Sequence, residues 1–130
     1  MITLSQIIKK TCTQYAEKIA VVDKRRELTY QQLKEEACQL ASALLSRGFQ
    51  KGDRIGILSA NRVEHIVIDL AVAMTGLIKV PINTKLHPKE IQFILENAKA
   101  NLVIGEISLL KTINFTGDRV TFENDYNSFL

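Results

Sequence analysis

"GDRIGILSANRVEHI", Gly52 to Ile66, is the stretch on which the reading of this chain turns. After Arg54 the run Ile55-Gly56-Ile57-Leu58 is continuously apolar. That is expected of a parallel strand covered on both faces. A tight turn follows, and a helix starts near Asn61. Many α/β proteins hold a phosphate at such a junction, on a glycine-rich turn and the N–H groups of the helix start. Here the turn is Ser59-Ala60-Asn61-Arg62, without a glycine. It is either a degraded nucleotide site or a structural βα unit whose nucleotide site lies elsewhere.

Downstream, Asn61 and Glu64 form an expected cap for a helix running from Val63 to about Thr75. This helix is apolar nearly all round, so it needs cover on more than one side. Within 130 residues that implies a missing neighbour, and self-association through the uncovered face is expected. Ile78 to Ile82 reads as a second buried strand, with Pro81 placing its end at an edge or a bulge. Pro88 opens the next helix at its first position, His87 stands where a cap belongs, and Ile91, Ile94, Leu95 and Ala98 form the inner face. Leu102 to Gly105 is a third parallel strand. A short helix around Leu109 to Ile113 and a strand at Arg119 to Phe122 follow, and Glu123 to Leu130, polar with apolar interruptions, reads as a chain stopped mid-course.

Upstream, Thr3 with Gln6 makes a capping box, and Leu4, Ile7, Ile8, Thr11 and Tyr15 share one helical face. Ile19 to Asp23 and Glu27 to Thr29 pair as a hairpin around Lys24-Arg25-Arg26. Thr29 and Gln32 form a second capping box. Leu33, Ala37, Leu40, Ala41 and Leu44 then follow at helical spacing, and Gly48 closes that helix. Strand and helix alternate from Asp53 to Gly105, which calls for right-handed βαβ crossovers. The expected fold class is α/β: a mostly parallel sheet with helices on both faces, plus a short antiparallel hairpin.

Composition narrows the function. With 46% hydrophobic and 24% charged residues the chain can bury an ordinary core. The net charge of +3 is scattered, and its one tight basic run is followed at once by Glu27. That run reads as a solvated hairpin tip, and without a basic stripe and stacking aromatics no nucleic-acid partner is expected. The apolar region from Ile66 to Ile82 is interrupted by Asp69, Gly76, Lys79 and Pro81, so no membrane span is expected. Cys12 and Cys38 form no CxxC and read as reduced, buried structural residues of a cytoplasmic protein. The amino terminus lacks the pattern of a signal peptide.

Candidate chemistry is sparse. His65 and Asp69 lie one helical turn apart and read as a structural hydrogen bond, since a metal site needs further ligands. Ser59 stands at a strand's carboxyl end but outside a G-x-S-x-G elbow. With Asn83 it also occupies the strand ends where a phosphate-accepting receiver would need acids. There is no P-loop, no G-x-G-x-x-G and no paired carboxylates. The residues alone define an α/β domain with no catalytic, cofactor-binding or metal-binding residue to name.

The series "LTYQQL", "LLSRGFQKGDRIGIL", "SANRVEHIVIDLAVAMTGLIKVPIN" and "LHPKEIQFILENAKANLVI", in that order from Leu28 to Ile104, resembles the N-terminal part of the adenylate-forming enzymes. These are the AMP-forming acyl- and aryl-CoA synthetases, the luciferases and the adenylation domains of peptide synthetases. The preceding "IAVVDKRRELTY" fits as well. The resemblance implies two steps: a carboxylic acid attacks ATP to give an acyl-adenylate and pyrophosphate, then the acyl group passes to a thiol, usually that of CoA. It implies ATP, Mg²⁺ and CoA for a whole enzyme, and none of them for these 130 residues. The family's phosphate loop ending in Pro-Lys-Gly, its adenine- and ribose-binding residues and its C-terminal lysine all lie downstream of the matching unit. On this reading the chain is an inactive N-terminal segment of the large domain, cut short in nature or for expression, and the Ser59 turn is scaffold. His87 departs from the Thr or Ser more usual before that proline, which affects only a cap. The wording around "VPINTKLHPKEI" favours a CoA ligase. The rival readings are an enzyme loading a carrier protein and a self-standing α/β interaction module.

Overall fold

The computed structural model describes residues 4–130, as two compact units. The Thr3–Gln6 capping box lies outside the described residues.

The first unit holds helix α1 (Leu4–Gln14), the hairpin β1 (Ile19–Val22) and β2 (Glu27–Thr29), and helices α2 (Tyr30–Ser46) and α3 (Val63–Thr75). Strands β1 and β2 pair antiparallel, with a bulge between Ile19 and Val21. Thr29 caps α2 as the sequence requires: its Oγ1 accepts the Gln32 N–H, and the Gln32 side chain accepts the Thr29 N–H. Leu33, Ala37, Leu40, Ala41 and Leu44 are all buried. Past the helix, Gly48 takes φ +92°, a conformation that other residues rarely adopt.

Two expectations about helices fail in this unit. Among the described side chains of this segment Cys12 is buried, whereas Ile7 and Tyr15 are 51% and 40% exposed. The face assigned from apolar spacing is therefore rotated from the one that packs. Helix α3 begins at Val63, but Asn61 does not cap it. Arg62 holds the cap position without capping the helix through its side chain, and the Val63 N–H donates to Asp23 of the hairpin at 2.7 Å. Along α3, Val67, Ile68 and Ala71 are buried, Leu70, Val72 and Met74 are half-buried, and Ile66 is exposed.

The second unit is built on strands β3 (Arg54–Leu58), β4 (Ile78–Pro81), β5 (Leu102–Gly105) and β6 (Asp118–Thr121), with helices α4 (Pro88–Asn97), α5 (Ile107–Leu110) and α6 (Tyr126–Phe129). All pairings are parallel and the order is β4-β3-β5-β6. Leu58 and Val103 pack with Ile82, Ile91, Leu95, Leu110 and Ile113, so α4 and α5 cover one sheet face. On the opposite face Ile55, Ile57, Leu102 and Ile104 are at most 1% exposed. Both faces are thus dry, which is why β3 and β5 read as continuous apolar runs. Strand β4 differs. It is an edge, Ile78 is 46% exposed, and the expectation of a buried strand is corrected. Its apolar letters reflect an exposed edge that ends, as foreseen, at Pro81.

His87 caps α4 through Nδ1, which accepts the Lys89 N–H at 3.1 Å, while Glu90 completes the box. Helix α5 starts two residues earlier than its pattern indicated. Among the terminal residues, to which the sequence assigned no element, Tyr126–Phe129 forms α6, with Tyr126 and Phe129 buried and Phe122 against Tyr126 at 5.4 Å.

Candidate functional site

In an open parallel sheet, ligands settle at the carboxyl ends of strands, where successive connections leave in opposite directions. The order β4-β3-β5-β6 puts that point between β3, which leads to β4 on one side, and β5, which leads to β6 on the other. Ser59 follows β3 and Glu106 follows β5.

The groups there are already engaged with one another. The Ser59 hydroxyl donates to the Ala60 carbonyl at 2.9 Å, and the residue is 7% exposed. It is not poised as a nucleophile. The Ala60 N–H donates to Glu106 Oε1 at 3.3 Å, and the Glu106 N–H donates to the Leu58 carbonyl at 3.0 Å. One strand further, the Ile107 N–H donates to the Glu123 carboxylate at 3.1 and 3.3 Å. Asn83, at the end of β4, accepts the Lys85 N–H in a turn. A phosphate needs converging N–H donors and a cation. This edge has carboxylates on its donors instead, and they would repel an anion.

The start of α3, within the first unit, is occupied in the same manner. Asp23 Oδ2 accepts the Val63 N–H, while its Oδ1 accepts the N–H groups of Arg25 and Arg26 at 2.7 and 2.9 Å. The bond from Val63, then those from Arg26 and Arg25, lower the Asp23 pKa to about 2. Around it runs a charged chain that composition did not disclose. Arg26 grips Glu36 with both guanidinium nitrogens, at 2.8 and 2.7 Å, and reaches Glu64 at 3.1 Å. Arg62 holds the other oxygen of Glu64 at 2.6 Å. Glu64 is 4% exposed, so its charge is compensated by two guanidinium groups. The expected solvated tip is corrected for Arg26, which clips the hairpin to α2 and α3, while Lys24 and Arg25 are exposed.

A shallow groove of about 390 Å³ lies beside Asp23, lined by Val21, Val22, Asn61, Arg62, Val63, His65 and Ile66. His65 and Asp69 are both half-buried. Among the described residues no three metal-ligating side chains gather, and no helix is long and apolar enough to cross a membrane.

Asp23 gives a pH test. Its folded pKa lies below its unfolded value, so the stability it contributes is present above about pH 4 and is lost as pH falls towards 2. Asp23→Asn should therefore be less stable than wild type at pH 6, and the gap should be clearly smaller at pH 2.5. Urea unfolding of both proteins at the two pH values is the measurement. A gap that does not change with pH contradicts the bond network.

Glu106, Glu123 and Asp23 were not singled out in the sequence. A signal existed for each: Glu106 directly follows an apolar strand, Glu123 follows the short β6–Phe122 run, and Asp23 ends a strand before a turn, where aspartate bonds the backbone ahead of it.

Comparison with known proteins gives the class that this sheet defines. The model of the AMP-binding enzyme family matches residues 8–125, and the chain belongs to that family. It is 28% identical over 126 residues to tyrocidine synthase 1 of Brevibacillus parabrevis, covering 95% of this chain and 12% of that protein. It is 34% identical over 104 residues to the mitochondrial medium-chain acyl-CoA ligase ACSF2 of Macaca fascicularis, covering 78% of this chain and 17% of that one. Among solved structures, the anthranilate CoA ligase AuaEII in complex with anthranoyl-AMP aligns at a TM-score of 0.88 and 27% identity, over 96% of this chain and 26% of that one. A benzoate CoA ligase from Burkholderia xenovorans aligns at 0.90 and 22% identity, over 99% and 28%, a likeness of fold. The chain thus spans less than a fifth of these two curated relatives. The resemblance read from Leu28 to Ile104 is borne out, and so is the α/β fold with its parallel sheet and antiparallel pair.

Proposed function

We propose that this chain is the N-terminal segment of the large domain of an acid–CoA ligase, and that it serves there as scaffold. The whole enzyme would join a carboxylic acid to ATP with Mg²⁺, release pyrophosphate, and pass the acyl group to CoA. The observation that carries the scaffold role is the carboxylate occupancy of the two N–H sites, Glu106 on Ala60 and Asp23 on Val63. With those donors used internally, the chain supplies no catalytic, cofactor-binding or metal-binding residue of its own. The phosphates, the acid and the thiol would be held by downstream chain.

The choice of CoA rests on the likeness to the acyl-CoA and anthranilate CoA ligases. A second reading, transfer to a carrier protein, is favoured by the likeness to tyrocidine synthase 1. The test is ATP–pyrophosphate exchange by the whole protein against a panel of carboxylic acids. Acid-dependent exchange is expected, and no exchange with any acid would contradict the proposal. Thioester formation on free CoA, against loading of a phosphopantetheinyl carrier, then separates the two readings.

A further inference from the structure

Cys12 and Cys38 are used by nothing described so far, and both are free thiols. They lie on α1 and α2, which pack against each other. The helices run antiparallel, because the end of α1 is tied to the start of α2. The Gln31 N–H donates to the Ala16 carbonyl at 3.1 Å, the Tyr30 N–H to the Lys18 carbonyl at 2.9 Å, and the Tyr15 and Tyr30 rings lie 6.2 Å apart. Counted from the Ala16–Gln31 tie, Cys12 and Cys38 differ in level by only three residues, about 4.5 Å along the axes.

Two features close that offset. Side chains on a helix tilt towards its N-terminus, so in an antiparallel pair Cys12 leans up α2 and Cys38 leans back towards Cys12. Ala37 and Ala41, both buried, lie beside Cys38 on α2, and small residues let helices approach. Facing α carbons of closely packed helices come within the roughly 4.4–6.8 Å that a disulfide spans. Consistently, Cys12 senses both Lys34 and Cys38, one turn apart on α2, although burial dominates and raises its pKa.

We propose that Cys12 and Cys38 are a redox-responsive pair, which peroxide converts into an intramolecular disulfide that fastens α1 to α2. Cys38 is the entry point, since it is half-buried while Cys12 is 4% exposed. The Cys38 thiolate attacks a peroxide oxygen: an S–O bond forms, the O–O bond breaks, and the leaving hydroxide takes a proton to become water. The Cys12 sulfur then attacks the resulting sulfenic acid. The S–S bond forms, the Cys12 proton is lost, and a second water departs. Overall, two thiols and one peroxide give one disulfide and two waters.

The test is limited hydrogen peroxide on the reduced 130-residue chain, followed by unfolding, maleimide labelling and intact mass. The expected product is a monomer about two mass units lighter, with both thiols lost together and restored by dithiothreitol. It should also melt at a higher temperature than the reduced chain. Cys12→Ala should instead leave Cys38 to advance to sulfinic acid, and Cys38→Ala should leave Cys12 reduced at the same dose. Cys12 that still labels while Cys38 is over-oxidised, or a bridge between two chains, overturns the proposal. The wild-type mass alone decides it should either variant fail to fold.

Discussion

Gly105→Ala is expected to lower the free energy of unfolding by about 3 kcal/mol, at the upper end of what overpacking costs. In the parallel register Gly105 lies opposite Leu58. A Cβ built on Gly105 runs into the Leu58 carbonyl oxygen at a separation that no real side chain tolerates. That oxygen cannot swing away, because it is backbone and also accepts the Glu106 N–H. Relief would require β3 and β5 to part at their carboxyl ends, which would loosen the Ala60–Glu106 contact and the Phe122–Gly105 backbone bond. Gly56 provides the internal comparison. A Cβ there meets the Leu95 Cδ2 at 2.5 Å, the far end of a side chain that can turn. Gly56→Ala should therefore cost about 1–2 kcal/mol. Urea unfolding of the two variants checks the order, and a Gly105→Ala protein as stable as wild type would contradict the register.

Arg62→Met should cost about 3 kcal/mol, for a different reason. The Arg62–Glu64 pair is buried, with side-chain exposures of 9% and 5%, and breaking such a pair strands a charge. Arg26 would remain on Glu64, but its guanidinium is shared with Glu36 and is 35% exposed. Removing both partners removes the stranded charge. Arg62→Met combined with Glu64→Leu should thus recover most of the loss, while Arg26 keeps Glu36. Equilibrium unfolding of the single and double variants measures this. A double variant less stable than the single one would show that the network acts by something other than charge compensation.

The elements themselves were legible where a local pattern matched a local cause. The Thr29–Gln32 and His87–Glu90 boxes, Gly48 beyond α2 and Pro88 at the start of α4 all stand where their chemistry requires. So do the parallel strands β3 and β5, since runs such as Ile55 to Leu58 have few other uses, whereas the parallel pairing of β6 was not read. What failed depended on partners distant in sequence. Asn61 looked like a cap because the real acceptor, Asp23, lies 40 residues away. Ile78 looked buried because an apolar letter does not state whether its strand has one neighbour or two. Arg26 looked solvated because Glu36 and Glu64 reach it only once α2 and α3 are in place. At the candidate site the sequence showed that the turn at Ser59 lacks the glycine that a phosphate loop uses. That its N–H donors are filled by carboxylates required the register of β3 and β5.

The most direct measurement of the scaffold assignment is calorimetric titration of the 130-residue chain with Mg-ATP. Glu106 and Asp23 hold the N–H groups that a phosphate would need, and Arg62 is engaged by Glu64. The account predicts heats equal to those of dilution, with no saturation up to millimolar nucleotide. Saturable binding in the micromolar range, abolished by a charge-reversing substitution at Arg62, would contradict it.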